Sequence, residues 1–168
     1  MAKPVKLYWD SCAWLGLLNG EAKKKRELEI VYGHAKAGKF EIWTSTLSMI
    51  EVRRLDSEKG LSKPLSDTNL AKIADLFAQP FVKPIPLDLE IANAARELWR
   101  TTAKLDKFQD AVHVASAQKW NTPVLHTYDH DDLLHLNETL QCRDGQRLRI
   151  CYPNETTDGP LFAALGRG

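Results

Sequence analysis

Compact apolar runs alternate with longer stretches of helical periodicity along this chain. Residues 5–9, 40–44, 81–85, 123–127 and 147–152 are short apolar runs bounded by turn or capping residues, and they predict five strands. Between them, apolar positions recurring every three or four residues predict helices over 12–19, 22–37, 47–57, 69–78, 89–103 and 107–120. Strands separated by helices need crossover connections, so the pattern implies an α/β fold: a three-layer α/β/α arrangement around a short, mostly parallel central sheet.

Local chemistry marks several boundaries. Gly38 follows the 22–37 helix where a left-handed residue ends it. Asp106 with Gln109, and Ser48 with Glu51, have the spacing of capping boxes. Pro84 and Pro86 bracket the third strand, predicting a short strand or one near an edge. Residues 59–67, with Gly60 and Pro64, read as a loop. Past Tyr152 come Pro153, Gly159, Pro160, Gly166 and Gly168, with little to pack. We expect one domain over 1–152 and a loosely packed tail over 153–168.

Composition changes this picture little. A chain of 168 residues, 43% hydrophobic and 27% charged, suits one globular domain. It buries roughly 70% of its unfolded surface, enough for a core without staples. Its three cysteines, Cys12, Cys142 and Cys151, form no C-x-x-C pair and read as small core residues in a reducing compartment. No apolar run approaches the roughly 20 residues needed to cross a bilayer, and the N-terminus lacks a signal-peptide pattern, so a cytoplasmic location without membrane contact is expected. A net charge of +1 does not point to a polyanion, so any affinity for nucleic acid needs a local patch.

The informative residues are acidic. Asp10 directly follows the first predicted strand and Asp129 stands just past the fourth. In a parallel sheet both project at the carboxyl edge, where ligands bind. Glu51 and Asp110 fall in the first turns of predicted helices at the same edge. Asp110 shares a face with Val114 and Ala117, and Glu51 with Leu47 and Leu55, so each interrupts an apolar stripe. Two such charges about 4 Å apart repel by roughly 4 kcal/mol at an effective dielectric near 20. Gathered carboxylates therefore need protons or cations, and oxygen donors suit Mg²⁺ or Mn²⁺. Taken singly, each acid also has a structural role available: Asp10 as a helix cap, Glu51 within a capping box, Asp110 at a helix dipole, Asp129 in a turn.

These segments resemble a known family. Asp10 and Ser11, followed by Trp14, Leu15, Leu17 and Leu18, look like the opening motif of PIN domains. Thr44, Ser45, Thr46 and Leu47 before Glu51 and Val52 are similar to the second acidic motif. Leu105 through Ala115, with Asp110 and Ala111 leading a small-residue helix, look like the third; Leu125 through Asp131 resemble the fourth. Size and layout look most like VapC-type toxins of toxin–antitoxin pairs. The resemblance implies an Mg²⁺- or Mn²⁺-dependent endoribonuclease, often a homodimer and held by a cognate antitoxin. It implies that Asp10, Glu51, Asp110 and Asp129 hold the metal, with Asp131 or Asp132 as alternatives for the fourth acid, and that Ser11 and Thr127 support the site.

Other signals are weaker. Residues 33–39 fit seven positions of a phosphate-binding loop, but Phe40 stands where Ser or Thr is needed and the helix precedes the strand. An aspartyl-nucleophile phosphohydrolase resembles Asp-x-Asp, whereas here Cys12 occupies the second position. His126, His130 and His135 match no compact zinc set, and His113 either orients Asp110 or simply packs. Lys23, Lys24, Lys25 and Arg26 form a solvated basic run. Arg53, Arg54, Arg100, Lys104 and Lys107 lie nearer the acidic edge and are the better candidates for RNA phosphates, although Arg53 and Arg54 can equally pair with neighbouring acids. The five tryptophans read as core. A PIN-like binding module without catalysis remains the alternative from another class.

Overall fold

A computed structural model describes residues 2–158. Five strands, β1 (Val5–Trp9), β2 (Phe40–Ser45), β3 (Val82–Ile85), β4 (Val124–His126) and β5 (Arg149–Cys151), form one sheet in the order β3-β2-β1-β4-β5. Every pairing between these strands is parallel. The proline-bracketed β3 lies at one edge, as its missing donors require.

Side chains alternate across the sheet because strand periodicity is two. Leu7 and Trp9 of β1 join Phe40, Ile42, Val124 and Cys151 in a core on one face. Tyr8 faces the other way, with Leu125 and Ile150. The first core is covered by α1 (Ser11–Asn19), α2 (Lys25–Lys36) and α4 (Asp67–Phe77), through Trp14, Leu28, Val31 and Ile73. The second is covered by α5 (Leu89–Thr101) and α6 (Phe108–Lys119). Helix α6 can lie flat on the sheet because Ala111, Ala115 and Ala117 keep its inner face small. The layers match the α/β/α expectation.

The ends of elements differ more. Gly38 takes φ +81 after α2, as its position predicted, and a Cβ there would meet no atom within 4 Å. Gly38→Ala therefore costs only left-handed backbone strain of roughly 1 kcal/mol. A drop in Tm of about 2–4 °C is expected in thermal melts; an unchanged Tm would contradict it. The predicted 47–57 helix is a short α3 (Thr46–Glu51), followed by a 3₁₀ turn at Asp56–Glu58. It ends because Val52 turns into the core, fully buried, while Glu58 Oε2 takes the Leu55 amide at 2.9 Å.

Neither predicted capping box forms. Ser45, not Ser48, caps α3 by accepting from the Leu47 amide. Ser48 is buried in a hydroxyl contact with Thr44. Helix α6 starts after Lys107 with no side-chain cap, and the Asp106 carbonyl instead accepts from Trp99 Nε1. The tryptophans also divide: Trp9 and Trp14 are fully buried, but Trp99 is 47% exposed and Trp120 37% exposed, so the core expectation fails for those two. Past Tyr152 the chain forms a further short helix, α7 (Pro153–Asp158), where no element was expected. The rest of the predicted tail, 159–168, lies outside the described residues. No helix among the described residues is long and apolar enough to cross a membrane.

Candidate metal centre at the carboxyl edge of the sheet

Topology brings the acids together. Asp10 follows β1, and Asp129 and Asp132 follow β4, which is hydrogen-bonded to β1. Asp110 lies in the first turn of α6. One carboxylate oxygen from each of Asp110, Asp129 and Asp132 lies within 4.8 Å of the others. Asp131, by contrast, has a side chain 97% exposed and, among the described residues, pairs only with His130. The structure thus gathers Asp132 as well as Asp129, and leaves Asp131 outside.

Asp10, Asp129 and Asp132 are each held by specific contacts. Asp10 is buried; its Oδ1 accepts from the Ala13 amide at 3.1 Å, capping α1, and its Oδ2 accepts from Thr127 Oγ1 at 2.6 Å. Thr127 Oγ1 also accepts from the Asp129 amide at 2.9 Å, so one hydroxyl ties two of the acids. Capping and site-building are one arrangement for Asp10, not alternatives. Asp129 Oδ1 accepts from the Asp132 amide at 2.9 Å, closing the turn that turns Asp132 inward.

Asp110 differs. Its Oδ2 is buried with no hydrogen-bond partner. Burial first, then the charge on Asp129, pushes its carboxyl up to about 7. Burial also raises Asp10, with His113 and the Thr127 hydroxyl partly offsetting it. A buried acceptor without a donor calls for a cation or a proton. The 4.8 Å spread is close to the ~4 Å span across an octahedral Mg²⁺ ion, and the donors are all hard oxygens. The residues fit such an ion.

Lys107 is the cation already present. Its Nζ lies 2.7 Å from Asp132 Oδ2 and 3.2 Å from Asp129 Oδ2, and these contacts raise its pKa. It neutralises two of the carboxylates that a divalent ion would use, so the two cations would compete. Lys107→Met is expected to tighten Mn²⁺ binding about tenfold in calorimetry; weaker binding would show that Lys107 organises the acids instead.

Glu51 sits apart from the three aspartates. As the last residue of α3 it is not in a first turn, contrary to the sequence expectation. Ser11 Oγ donates to its Oε2 at 3.2 Å, and its Oε1 lies 2.9 Å from His113 Nε2. His113 Nδ1 lies 2.7 Å from the Tyr8 hydroxyl. Burial keeps Tyr8 a neutral phenol and thus a donor. In the neutral ring, Tyr8 donates to Nδ1 and Nε2–H donates to Glu51. Burial pulls the His113 pKa down, but the Glu51 contact and the charges of Asp10 and Asp110 outweigh it and raise the pKa. His113 therefore orients Glu51, not Asp110. No sequence signal pairs residues 51 and 113, which are 62 positions apart.

The remaining candidates scatter. Arg53 and Arg54 flank the exit from α3, while Arg100 and Lys104 are exposed near the end of α5. His126 is buried beside Trp9 Nε1 at 3.0 Å, with its pKa lowered by burial to about 3, and His130 and His135 join no metal-type cluster among the described residues. Residues 33–39 run from helix to strand, the wrong order for a phosphate loop. Cys12, Cys142 and Cys151 form no disulfide among the described residues. Lys25 pairs with Glu29 in solvent, but Lys24, with its side chain 26% exposed, pairs with Glu21 and packs over the Tyr128 ring, so the basic run is not wholly solvated.

Comparison with known proteins identifies the family and the fold. The PIN domain family model matches residues 7–138, from β1 through the turn that carries Asp129 and Asp132. The chain belongs to the PIN domain family. Among solved structures, this PIN domain resembles the VapC20 toxin of Mycobacterium tuberculosis, described as cleaving the sarcin–ricin loop, with a TM-score of 0.58 and 18% identity, covering 74% of this chain and 91% of that one. It also resembles a chain of a toxin–antitoxin complex from Klebsiella pneumoniae, with a TM-score of 0.51 and 17% identity, covering 75% of this chain and 88% of that one. At these identities the likeness is one of fold. No curated protein sequence matches the chain.

Proposed function

We propose that this PIN domain is an endoribonuclease that cleaves RNA phosphodiester bonds with Mg²⁺ or Mn²⁺, and that it is the toxin of a toxin–antitoxin pair. The observation that carries the reading is the gathering of Asp110, Asp129 and Asp132, in which Asp110 keeps a buried carboxylate oxygen without a hydrogen-bond partner. Asp110, Asp129 and Asp132 hold the ion, with Asp10 beside them. When bound, the ion supplies positive charge to the phosphoryl group under attack and to the oxygen that leaves.

The chain's own residues do the positioning. Thr127 keeps Asp10 and Asp129 in register through one hydroxyl. His113 and Ser11 hold Glu51 at the rim, where its side chain is 25% exposed and can meet substrate. Arg53, Arg54, Arg100 and Lys104 supply charge for the RNA backbone, which gives affinity without choice of sequence. A cognate antitoxin and a second copy of the chain are the protein partners of this reading. Exposed apolar side chains at Ile50, Leu87 and Leu89 offer surface for them.

Mapping the ends produced from a mixed RNA pool with Mg²⁺ tests this. Internal cuts are expected. Mononucleotides released only from chain ends would contradict endonuclease action. Intact RNA together with hydrolysis of p-nitrophenyl phosphate would replace it with phosphohydrolase chemistry.

A further inference from the structure

A groove of about 610 Å³ opens beside Glu51, between the end of α1 and the segment that follows α3, lined by Leu15, Asn19, Arg53, Arg54 and Lys59 among others. Its acids are already answered. Glu51 is held by Ser11 and His113, Glu21 pairs with Lys24 at 2.7 Å, and Asp56 pairs with Lys59 at 2.6 Å. The arginines are not: among the described residues, neither Arg53 nor Arg54 has an acid within ion-pair distance. Arg54 Nε is moreover enclosed, with no hydrogen-bond acceptor. That Nε is closed to the groove, but no hydrogen bond or ion pair holds either guanidinium among the described residues, and both side chains line the groove, which leaves their forks available to an anion.

We propose that this groove is a phosphate subsite, in which Arg54, assisted by Arg53, grips a backbone phosphate of the RNA strand next to the bond being cut. The inference rests on the ribonuclease reading for the identity of the strand. Three features favour RNA phosphate. The planar guanidinium fork matches a phosphate's paired oxygens. The groove is continuous with the catalytic edge, because Glu51 lines it and also contacts His113 at the base of the site. And the segment bearing both arginines is anchored at each end, by buried Val52 and by the bond from the Leu55 amide to Glu58, so the forks are presented from a held backbone. A strand running from the aspartates past Glu51 enters the groove that Arg53 and Arg54 line.

The test is fluorescence anisotropy of a labelled, mixed-sequence single-stranded RNA with the full chain, in EDTA so that no cutting occurs, across a salt series. Arg54→Gln is expected to weaken binding about tenfold and to make the slope of log affinity against log salt shallower by roughly 0.7, the share of one phosphate contact on a single strand. Arg53→Gln, at an exposed position, acts in the same direction and serves if Arg54→Gln melts early. Lys36→Gln, at the far end of α2, leaves binding unchanged. Mn²⁺ affinity stays at the wild-type value in every variant. Wild-type affinity and slope in both arginine variants overturns the subsite. So does displacement of the RNA by oligoglutamate as readily as by unlabelled RNA, which assigns the groove to an acidic peptide. Either outcome leaves the nuclease reading standing if the wild-type chain cuts RNA with Mg²⁺. Arginine-dependent binding without any cutting sinks the nuclease reading and keeps the groove.

Discussion

Asp110→Asn is expected to lower RNA cleavage by at least about 10³-fold while making the metal-free protein more stable at alkaline pH. The activity loss follows from removing one charge from the set that holds the ion, since a divalent ion's several kcal/mol of transition-state stabilisation corresponds to about that factor. The stability gain follows from burial. In the folded chain Asp110 holds its proton up to about pH 7, whereas its ordinary value is 3.8. The folded form thus binds the extra proton across that window. The stability this lends is complete below about pH 4 and is lost as pH rises through 7. Asparagine, neutral throughout, does not suffer the loss. After discounting for solvent screening the gain is roughly 1–3 kcal/mol at pH 8, or several degrees in Tm, vanishing near pH 4. Melting curves at both pH values in EDTA check it. A lower Tm at pH 8 would mean that Asp110 makes a structural bond its geometry does not reveal.

Trp14→Ala is expected to have the largest effect on folding, about 3–5 kcal/mol. Trp14 is fully buried, with its ring centroid 4.8 Å from that of Trp9 and 4.9 Å from that of Phe77. Its Nε1 donates to Thr44 Oγ1 at 3.1 Å, and that hydroxyl also contacts the Trp9 carbonyl and Ser48. The indole thus joins α1, β1, β2 and α3 where the chain enters the site. Total stabilities of 5–15 kcal/mol leave little after such a loss, so a Tm lower by roughly 10 °C or more is expected. Trp14→Phe keeps most of the packing and loses the N–H bond, and should cost about 1–2 kcal/mol. Equal melting points for the wild type and Trp14→Ala would contradict this account of the core. Because Asp10 caps the helix that carries Trp14, Mn²⁺ affinity should weaken along with stability.

Much of the architecture was legible because it depends on local pattern. Leu7, Tyr8 and Trp9 read as a strand since both faces of a central parallel strand are buried, and Asp10 and Asp129 could be placed at one edge from strand direction alone. What was not legible depends on contacts between distant segments. Lys107 read as a candidate contact for RNA phosphates; only the turn after β4 brings Asp129 and Asp132 to it. His113 read as packing or as orienting Asp110, because nothing along α6 announces Glu51 or Tyr8. The length of α3 was misjudged because Leu47, Glu51 and Leu55 keep a helical spacing that Val52 overrides by turning into the core. Asp132 was one choice among neighbours until the Asp129 side chain was seen to accept its amide. The two missed caps share one cause: Ser48 and Asp106 have the right spacing, but tertiary partners claim Ser48 and the Asp106 carbonyl.

The most direct test of the central claim is RNA cleavage by the purified chain as a function of divalent ion. The account predicts cutting with Mg²⁺ or Mn²⁺, none in EDTA, and recovery when Mn²⁺ is restored. Cleavage indifferent to chelation, or intact RNA beside a protein that calorimetry shows to have bound Mn²⁺, would contradict it.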